Sequence, residues 1–290
     1  MPGPAIRRRQ LGGTLRQLRE QRGISPKDAA KYLGVALSTI NKIEKGKQAV
    51  QVAHVRLLAI FYEIGSPDLD ALLRLTEEAN ERGWWATYGD TVPQWFRDYI
   101  GLESDASELR TWHPDLLHGL LQTPAYMRAV ITASRPDHPP SEVDRLVELR
   151  RARQRILTRH PAPLKLTAVI GEGAVRRLVG GEAVMREQLE HLIELGDGAQ
   201  IAIRVLPFTV GAHAAMVSPF TLLAFPAEDG EPDAGPEAVY LENERGGLFQ
   251  ERPGDIGRYL TIWRRVEQAA HSSAETRELL ASLTAHLRKH

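Results

Sequence analysis

Apolar residues recur at helical spacing through the first part of the chain. Leu11, Leu15 and Leu18 repeat every three or four positions, which predicts a first helix that begins near Leu11 and ends near Arg22. Similar spacing returns in the segments that follow, up to residue 82. The pattern therefore predicts five helices that pack into one all-α domain over residues 1–82.

The segment from Ser25 to Lys47 predicts two short helices joined by a tight turn. Ser25 can cap the first helix, and Pro26 suits its first turn because the φ angle of proline is already fixed. Asp28 places a carboxylate near the free amides of that turn. Gly34 is expected to take a left-handed conformation and end the first helix, since glycine has no Cβ to clash.

The second helix of this pair would bury Ile40 and Ile43 and turn a polar, cationic face outward. Such a face fits the DNA major groove, where short side chains meet base edges and lysines bind phosphate. A solvated helical hairpin without DNA is the alternative interpretation. We assign the DNA contacts to Leu37, Ser38, Thr39, Asn41, Lys42, Lys45, Lys47 and Lys27.

Three short strings carry a resemblance to a known family: Leu33-Gly34-Val35, Ser38-Thr39-Ile40 and Ile43-Glu44-Lys45-Gly46-Lys47. They resemble the helix-turn-helix of the lambda-repressor-like family, also called Cro/C1 or XRE. The resemblance implies a double-stranded DNA operator as partner and a partly buried ion pair between Arg19 and Glu44. Ala36 and Pro26 depart from the family, which often has Ser and Gln there, so fewer contacts to the DNA backbone are expected.

Charge is distributed unevenly, although the whole chain is neutral with 37 basic and 37 acidic residues. Residues 1–62 carry a net charge of +9, and the remainder carries −9. A local basic excess is typical of DNA-binding modules. Within it, Arg7, Arg8 and Arg9 would form a short arm that either follows a groove or only keeps the terminus solvated.

Residues 83–290 are predicted to form a larger mixed α/β domain. Its first part, 83–160, is rich in aromatic residues and mainly helical, with helices expected at 104–110, 124–133 and 141–159. The arginines of the last of these helices, Arg145, Arg150, Arg151, Arg153, Arg155 and Arg159, indicate either a second nucleic-acid site or a solvated face. Acidic residues among them favour the solvated face.

From residue 161, short β-branched runs bounded by proline and glycine predict strands. The expected order is β-α-α-β over 164–206, followed by strands at 220–225, 238–241 and 247–250 and helices at 255–270 and 274–287. The predicted fold class is therefore multidomain. An all-α lambda-repressor-like helix-turn-helix domain precedes a mixed α/β domain whose first part is helical and aromatic-rich.

Strings of the second domain, among them Gly119-Leu120-Leu121-Gln122-Thr123 and Val205-Leu206-Pro207-Phe208, carry another resemblance. They are similar to an uncharacterised domain that is joined to this helix-turn-helix in many actinomycete regulators. Those relatives are WhiJ-like or antitoxin-like regulators, often encoded beside a small partner protein. The resemblance implies a small partner protein as an alternative function. A homodimer is expected separately, because one recognition helix reads few base pairs and a dimer would bind two half-sites of DNA.

Glu172, His213 and Glu242 lie beside predicted strand ends, where catalytic groups occur in α/β folds. The common hydrolase, nucleotide-binding and zinc-protease motifs are absent from the sequence. We therefore expect no enzyme, no cofactor and no metal site, and interpret His213 as structural. A small-molecule sensor or a hydrolase-like domain remains an alternative. A ligand or partner surface would then be formed by Trp84, Trp85, Trp95 and Trp112.

The amino-acid composition limits the cellular locations that we expect for this protein. The absence of cysteine excludes disulfides and thiolate metal sites. No apolar run approaches the roughly 18 residues that a membrane-spanning helix needs, and the N-terminal residues do not have the apolar core of a secretory signal. We expect a cytoplasmic protein without a membrane partner.

Overall fold

The computed structural model of the chain describes residues 4–81, 83–226, 235–243 and 245–287. The chain divides into two compact units. Residues up to 89 and 97–105 form the first unit, and residues 90–96 and those from 106 onward form the second. The sequence analysis places the division between residues 82 and 83.

Five α-helices open the first unit. They are α1 Pro4–Gln21, α2 Pro26–Leu33, α3 Leu37–Glu44, α4 Val52–Phe61 and α5 Asp68–Ala79. A 3-10 helix, Trp84–Thr91, and helix α6, Gln94–Asp105, follow. The core of the unit contains Leu11, Leu15, Ile40, Leu58 and Tyr62, each at most 1% exposed. The apolar positions that predicted the helices are therefore the ones that they bury.

Helix α1 starts well before the predicted Leu11, and the three arginines near the terminus are helical. The amides of Ala5 and Ile6 both donate to Oδ2 of Asp105 at 3.0 Å, which satisfies free N–H groups at the start of α1. Arg8 Nε donates to the carbonyl oxygen of Ala79 at 3.0 Å. The prediction of a short arm is wrong, because hydrogen bonds to Asp105 and Ala79 hold this segment in a helix.

The sequence Ser66-Pro67-Asp68 repeats the serine-proline start of α2 and predicts that Ser66 caps α5, but the structure differs. Pro67 occupies the N-cap position without a side-chain hydrogen bond. The Ser66 hydroxyl instead donates to Oδ2 of Asp70 at 2.8 Å. The helix ends at Ala79, before the predicted end at Arg82, a residue outside the described ranges.

The second unit combines six strands with six helices in its described residues. Its strands are β1 Glu108–His113, β2 Lys165–Gly171, β3 Ile201–Leu206, β4 Phe220–Ala224, β5 Ala238–Asn243 and β6 Gly246–Gln250. Its helices are α7 Pro124–Ser134, α8 Pro140–Gln154, α9 Glu172–Arg176, α10 Glu182–Gly196, α11 Pro253–Ala269 and α12 Ser273–His286. The order β2-α9-α10-β3 confirms the predicted β-α-α-β segment.

The six strands form one mixed sheet in the order β3-β2-β1-β4-β5-β6. Strands β1, β2 and β3 are parallel, and β4, β5 and β6 continue the sheet with antiparallel pairs. Trp112 of β1 lies opposite Val169 of β2 on one side and Phe220 of β4 on the other. The carboxyl ends of the three parallel strands therefore meet at one edge of the sheet.

Strand β1 corrects the predicted helix at 104–110. Helix α6 ends at Asp105, and Glu108 already belongs to the strand. Leu109 and Thr111 are completely buried, while Glu108 and Arg110, which alternate with them, are half-buried and pair with each other at 3.1 Å. The polar Thr111 at a buried position hides the alternation, and pairing with strands on both sides outweighs local preference. The sheet thus begins inside the part predicted to be mainly helical.

The fold class predicted from the sequence is confirmed. A helical helix-turn-helix domain precedes a domain of helices and a mixed sheet.

Candidate nucleic-acid interface

The turn between α2 and α3 is built from local signals that the sequence displays. The Ser25 hydroxyl accepts a hydrogen bond from the Asp28 amide at 3.2 Å and caps α2. Gly34 has φ 67° and ψ 30°, the left-handed conformation predicted for it. The Asp28 carboxylate differs from expectation, since it accepts from the Ser25 hydroxyl at 2.6 Å and not from a free amide. Both ends of α2 are therefore well defined.

Two glycines allow α1 and α3 to approach closely. A Cβ at Gly12 would lie 2.4 Å from the carbonyl oxygen of Ile43 on α3. Beyond α3, Gly46 has φ +63°, and a Cβ there would lie 2.7 Å from Cα of Arg9. Larger residues would separate the helices, so both glycines fix the position of α3. The sequence analysis did not identify this role for Gly12.

An ion pair fastens the end of α1 to the end of α3. Arg19 Nε and Nη2 donate to the two carboxylate oxygens of Glu44 at 2.6 and 2.9 Å, and Arg19 Nη1 donates to the Ile24 carbonyl at 2.7 Å. Both side chains are less than a tenth exposed. The hydrogen bond to Glu44 raises the Arg19 pKa against the opposing effect of burial. The pair implied by the family resemblance is thus present and bidentate.

The pKa of the buried Tyr62 hydroxyl is affected by the charges of this ion pair. Burial raises the pKa of the Tyr62 hydroxyl to about 12, and the Glu44 charge raises it further while Arg19 opposes. The phenol is therefore neutral at physiological pH, and the charges that act on it are those of Glu44 and Arg19.

The outward face of α3 is exposed as the sequence predicts, with one exception. Thr39 is half-buried, so it is the weakest of the assigned contacts. Leu37 is 45% exposed, an unusual position for leucine that suits contact with a thymine methyl group. The exposed residues are Leu37, Ser38, Asn41, Lys42, Lys45, Lys47 and Lys27.

The lysines of this surface surround α3 and are not all on it. Lys27 lies on α2 and Lys42 on α3, whereas Lys45 and Lys47 follow the end of α3. The Lys47 amide donates to the Lys42 carbonyl at 2.8 Å and holds this short turn against the helix. Within the described ranges none of the four lysines forms an ion pair, so their charges are available to phosphate groups.

Helix α3 has no side-chain cap at its start. Ala36 occupies the N-cap position and offers no side-chain acceptor. The amides of Leu37 and Ser38 therefore receive no side-chain acceptor from the N-cap, whereas the Thr39 amide donates to the Ala36 carbonyl at 2.9 Å. Open amides at a helix start attract anions such as phosphate.

The predicted tryptophan surface is not supported as a single surface. Trp84 and Trp85 belong to the first unit, whereas Trp95 and Trp112 belong to the second. Trp112 is 1% exposed, and its Nε1 donates to the Ala215 carbonyl at 2.9 Å. Its assignment to a surface is wrong, because its position in β1 places it in the core of the sheet.

The three residues considered for catalysis have structural partners. Glu172 accepts hydrogen bonds from the Phe208 amide at 2.7 Å and from Arg176 Nε at 2.6 Å, and these lower its pKa although burial opposes them. His213 Nδ1 accepts from the Ala215 amide at 3.2 Å. Glu242 accepts from the Tyr240 hydroxyl at 3.2 Å. The Glu172 contact joins the end of β2 to the segment after β3, whereas the His213 and Glu242 contacts are local.

Residues 96–282 match the family described as Domain of unknown function (DUF5753), and residues 10–73 match the family described as Helix-turn-helix domain. The first match covers more than half of the chain. The chain belongs to the DUF5753 family. No curated protein matches it.

The two family matches of this DUF5753 protein cover different structural elements. The helix-turn-helix match contains α2, α3 and all eight residues assigned to DNA. The DUF5753 match contains every strand of the sheet. In the described parts of the chain, no helix is both long and apolar enough to span a membrane, and no three His, Asp or Glu side chains form a group able to hold a metal ion.

Proposed function

We propose that this protein is a sequence-specific DNA-binding transcriptional regulator of the lambda-repressor-like (XRE) kind that works in the cytoplasm. The observation that carries the proposal is the exposed face of α3, mounted on a rigid frame by Gly12 and by the Arg19–Glu44 ion pair. Four lysines that form no ion pair with any described residue surround that face. The protein acts by binding, and we propose no catalytic role for either unit.

Binding to an operator is tested by comparing phosphate contacts with base contacts. Lys42→Ala and Lys45→Ala should each weaken binding to all sequences and reduce the slope of log affinity against log salt by about one unit. Ser38→Ala and Leu37→Ala should instead relax the preference at one base pair, a loss of about 1–3 kcal/mol in discrimination.

The matched control is Lys165→Ala, because Lys165 is an exposed lysine of the second unit. Operator DNA from genomic binding-site mapping, titrated at several salt concentrations, supplies the measurement. The assignment of α3 as recognition helix fails when all four variants bind like the parent.

The regulator should act as a homodimer. One α3 reads only a few base pairs, and two related half-sites multiply the discrimination against other sequences. Light scattering after size-exclusion chromatography, with and without operator, measures the mass directly. A monomer under both conditions would refute this part of the proposal.

An antitoxin-like role, in which the second unit binds a small partner protein encoded nearby, is the second candidate. The observation that favours it is a group of exposed apolar residues in loops beyond the carboxyl ends of the parallel strands: Leu116, Leu178, Phe208, Met216 and Val217. Exposed apolar residues of this kind are typical of protein interfaces. Co-expression with the neighbouring small protein should give a stable complex that Phe208→Ser weakens, and separate elution at micromolar concentration would exclude the role.

A further inference from the structure

The arginines of α8 do not all lie on a solvated face. Arg145, Arg151 and Arg155 are exposed, in agreement with the sequence interpretation. Arg153 is 4% exposed, with its guanidinium over the Phe96 ring at 5.0 Å from the ring centre. Arg150 is half-buried on the same side of the helix. The solvated face therefore explains only part of this helix, and the inward arginines need another explanation.

Arg150 is held by a neutral partner. Its Nη1 donates to Oε1 of Gln122 at 3.0 Å. Gln122 is itself fixed, because its Nε2 donates to the Leu117 carbonyl at 2.7 Å and its own carbonyl accepts from Gln154 Nε2 at 2.7 Å. Arg150 forms no ion pair within the described part of the chain. A guanidinium has five N–H donors, so a single bond to an amide leaves most of them unused.

Burial and two neighbouring cations act against the positive charge of Arg150. Burial lowers the Arg150 pKa to about 10, and Arg153 and Arg135 lower it as well, while Glu242 opposes them. Glu242 makes its own hydrogen bond to Tyr240 and does not contact Arg150. Removal from water and repulsion by two neighbouring cations make the site attractive to an added negative charge.

A buried hydroxyl close to Arg150 also has nothing to receive its proton. Tyr126 is completely buried, and its hydroxyl has no hydrogen-bond partner among the described residues. The Leu117 amide approaches the oxygen, but an N–H group is a donor and cannot accept the hydroxyl proton. Burial raises the Tyr126 pKa, and the charges of Arg177 and Arg150 lower it. Leu117 connects this hydroxyl to Arg150, because the Leu117 carbonyl accepts from Gln122 Nε2 and Gln122 Oε1 accepts from Arg150. A buried donor without an acceptor costs about 1–3 kcal/mol.

Two imidazoles near Arg153 leave this charge pattern unchanged at physiological pH. His113 and His118 lie with ring centres 5.3 Å apart, and His118 Nδ1 accepts from the Leu120 amide at 3.3 Å. Burial lowers the pKa of each to about 3. Both are therefore neutral near pH 7, and the positive charge at the site belongs to the arginines.

We propose that Arg150 and Tyr126 form a binding site for one oxyanion, the carboxylate or phosphate group of a small molecule. Such a group accepts from the unused N–H donors of Arg150 and from the Tyr126 hydroxyl, and it offsets the cluster of arginines. Gln122 keeps the guanidinium in place before the ligand arrives. The site consists of second-unit residues alone, so it does not depend on the proposed binding of DNA.

The test is thermal unfolding of the full chain in inorganic phosphate, acetate or chloride at matched ionic strength. Phosphate or acetate at a hundred times its dissociation constant should raise the melting temperature of the second unit by about 5 °C above chloride. A response to phosphate alone assigns a phosphate-bearing ligand, and a response to acetate assigns a carboxylate. Equal melting temperatures in the three salts would overturn the proposal.

Substitutions test which residues cause the shift in melting temperature. Arg150→Gln should abolish the shift, and Tyr126→Phe, which removes only the hydroxyl, should weaken the dissociation constant about tenfold. Arg145→Gln makes the same charge change on the exposed side of α8 and should retain the shift. Lys42→Ala should retain it too, which excludes phosphate bound at the DNA surface.

A shift that persists in both Arg150→Gln and Tyr126→Phe means that the anion binds elsewhere, and the proposal is then wrong. Tyr126→Phe keeps the test decisive when Arg150→Gln does not fold, because loss of an unpartnered hydroxyl leaves the packing of the ring intact. An unchanged dissociation constant in Tyr126→Phe would show that the hydroxyl does not bind the anion, and the proposed pair of residues would then be wrong.

Discussion

Arg19 of the first unit and Arg150 of the second are both withdrawn from water, but different groups receive their N–H donors. Arg19 meets the carboxylate of Glu44 with two hydrogen bonds and a backbone carbonyl with a third. Arg150 meets one amide oxygen, that of Gln122. The pKa of Arg19 is raised by its partner, whereas that of Arg150 is lowered to about 10 by burial.

The contrast separates a cation that is part of the fold from one that needs a ligand. In the first unit every requirement of the buried charge is met within the chain, so α3 has one position. In the second unit the described residues give Arg150 a neutral partner, the amide oxygen of Gln122, and no carboxylate. A buried arginine that is paired within the chain therefore stabilises the fold, whereas one without such a pair is suited to bind a ligand.

The largest effect that could break this comparison comes from Glu44→Ala. Removing the carboxylate leaves Arg19 buried and unpaired, which should lower the free energy of unfolding of the first unit by about 3–5 kcal/mol. Urea unfolding of the full chain followed by far-ultraviolet circular dichroism measures it. Glu77→Ala is the matched control, since Glu77 is exposed on α5 and its loss should change little. Equal effects of the two substitutions would show that the buried pair has no special role.

Acid should destabilise the second unit through His113 and His118. Their folded pKa values are about 3, below the usual value of 6.5, because burial disfavours the charged ring. The unfolded chain therefore binds more protons between these limits, so stability is complete above pH 6.5 and falls as the pH is lowered toward 3. The slope is about 1.4 kcal/mol per pH unit for each histidine.

Urea unfolding at pH 7, 6 and 5 measures this slope for the parent and for His118→Gln. The variant should lose one histidine's share of the slope. The exposed His160 of the same unit provides the control variant, His160→Gln. A parent whose stability is flat from pH 7 to 5 would contradict the assignment of both rings as neutral.

A smaller effect is expected from the N-caps of two helices in the first unit, one with a side-chain hydrogen bond and one without. Helix α2 is capped by Ser25, whereas Ala36 leaves α3 uncapped. Ala36→Ser should add a capping hydrogen bond and stabilise the unit by about 1 kcal/mol, and Ser25→Ala should cost a similar amount. Thermal unfolding compares the two. A cap at Ala36 that destabilises the unit would show that the start of α3 has no room for a side-chain acceptor.

Local signals explain why the helix-turn-helix could be predicted and much of the second unit could not. Ser25, Gly34 and the apolar spacing of the first helices act over a few residues, so the sequence displays them directly. The Arg19–Glu44 pair came from family resemblance, since no periodicity connects two residues that are 25 positions apart.

Strand β1 shows the opposite case. Its partners are Lys165 to Ile170 in β2 and Phe220 to Ala224 in β4, which are far away in sequence. The polar Thr111 at a buried position hides the alternation, so the sequence predicts a helix there. Trp112 was assigned to a surface because it belongs to the aromatic-rich stretch. The Arg150 site depends on Gln122 and Tyr126, and only folding brings α8 against the segment that contains them.

The smallest effect, Arg150→Met, tests the comparison most directly. Methionine removes a desolvated charge that Arg153 repels, which favours the folded state, but it also leaves the Gln122 amide oxygen without its donor. These terms oppose each other, so the free energy of unfolding of the second unit should change by less than about 1.5 kcal/mol. Arg145→Met on the exposed side of α8 is the matched control. Urea unfolding in chloride, without phosphate or carboxylate, measures both variants. A loss as large as that of Glu44→Ala would mean that Arg150 is already complete within the fold, and the distinction between the two arginines would then be wrong.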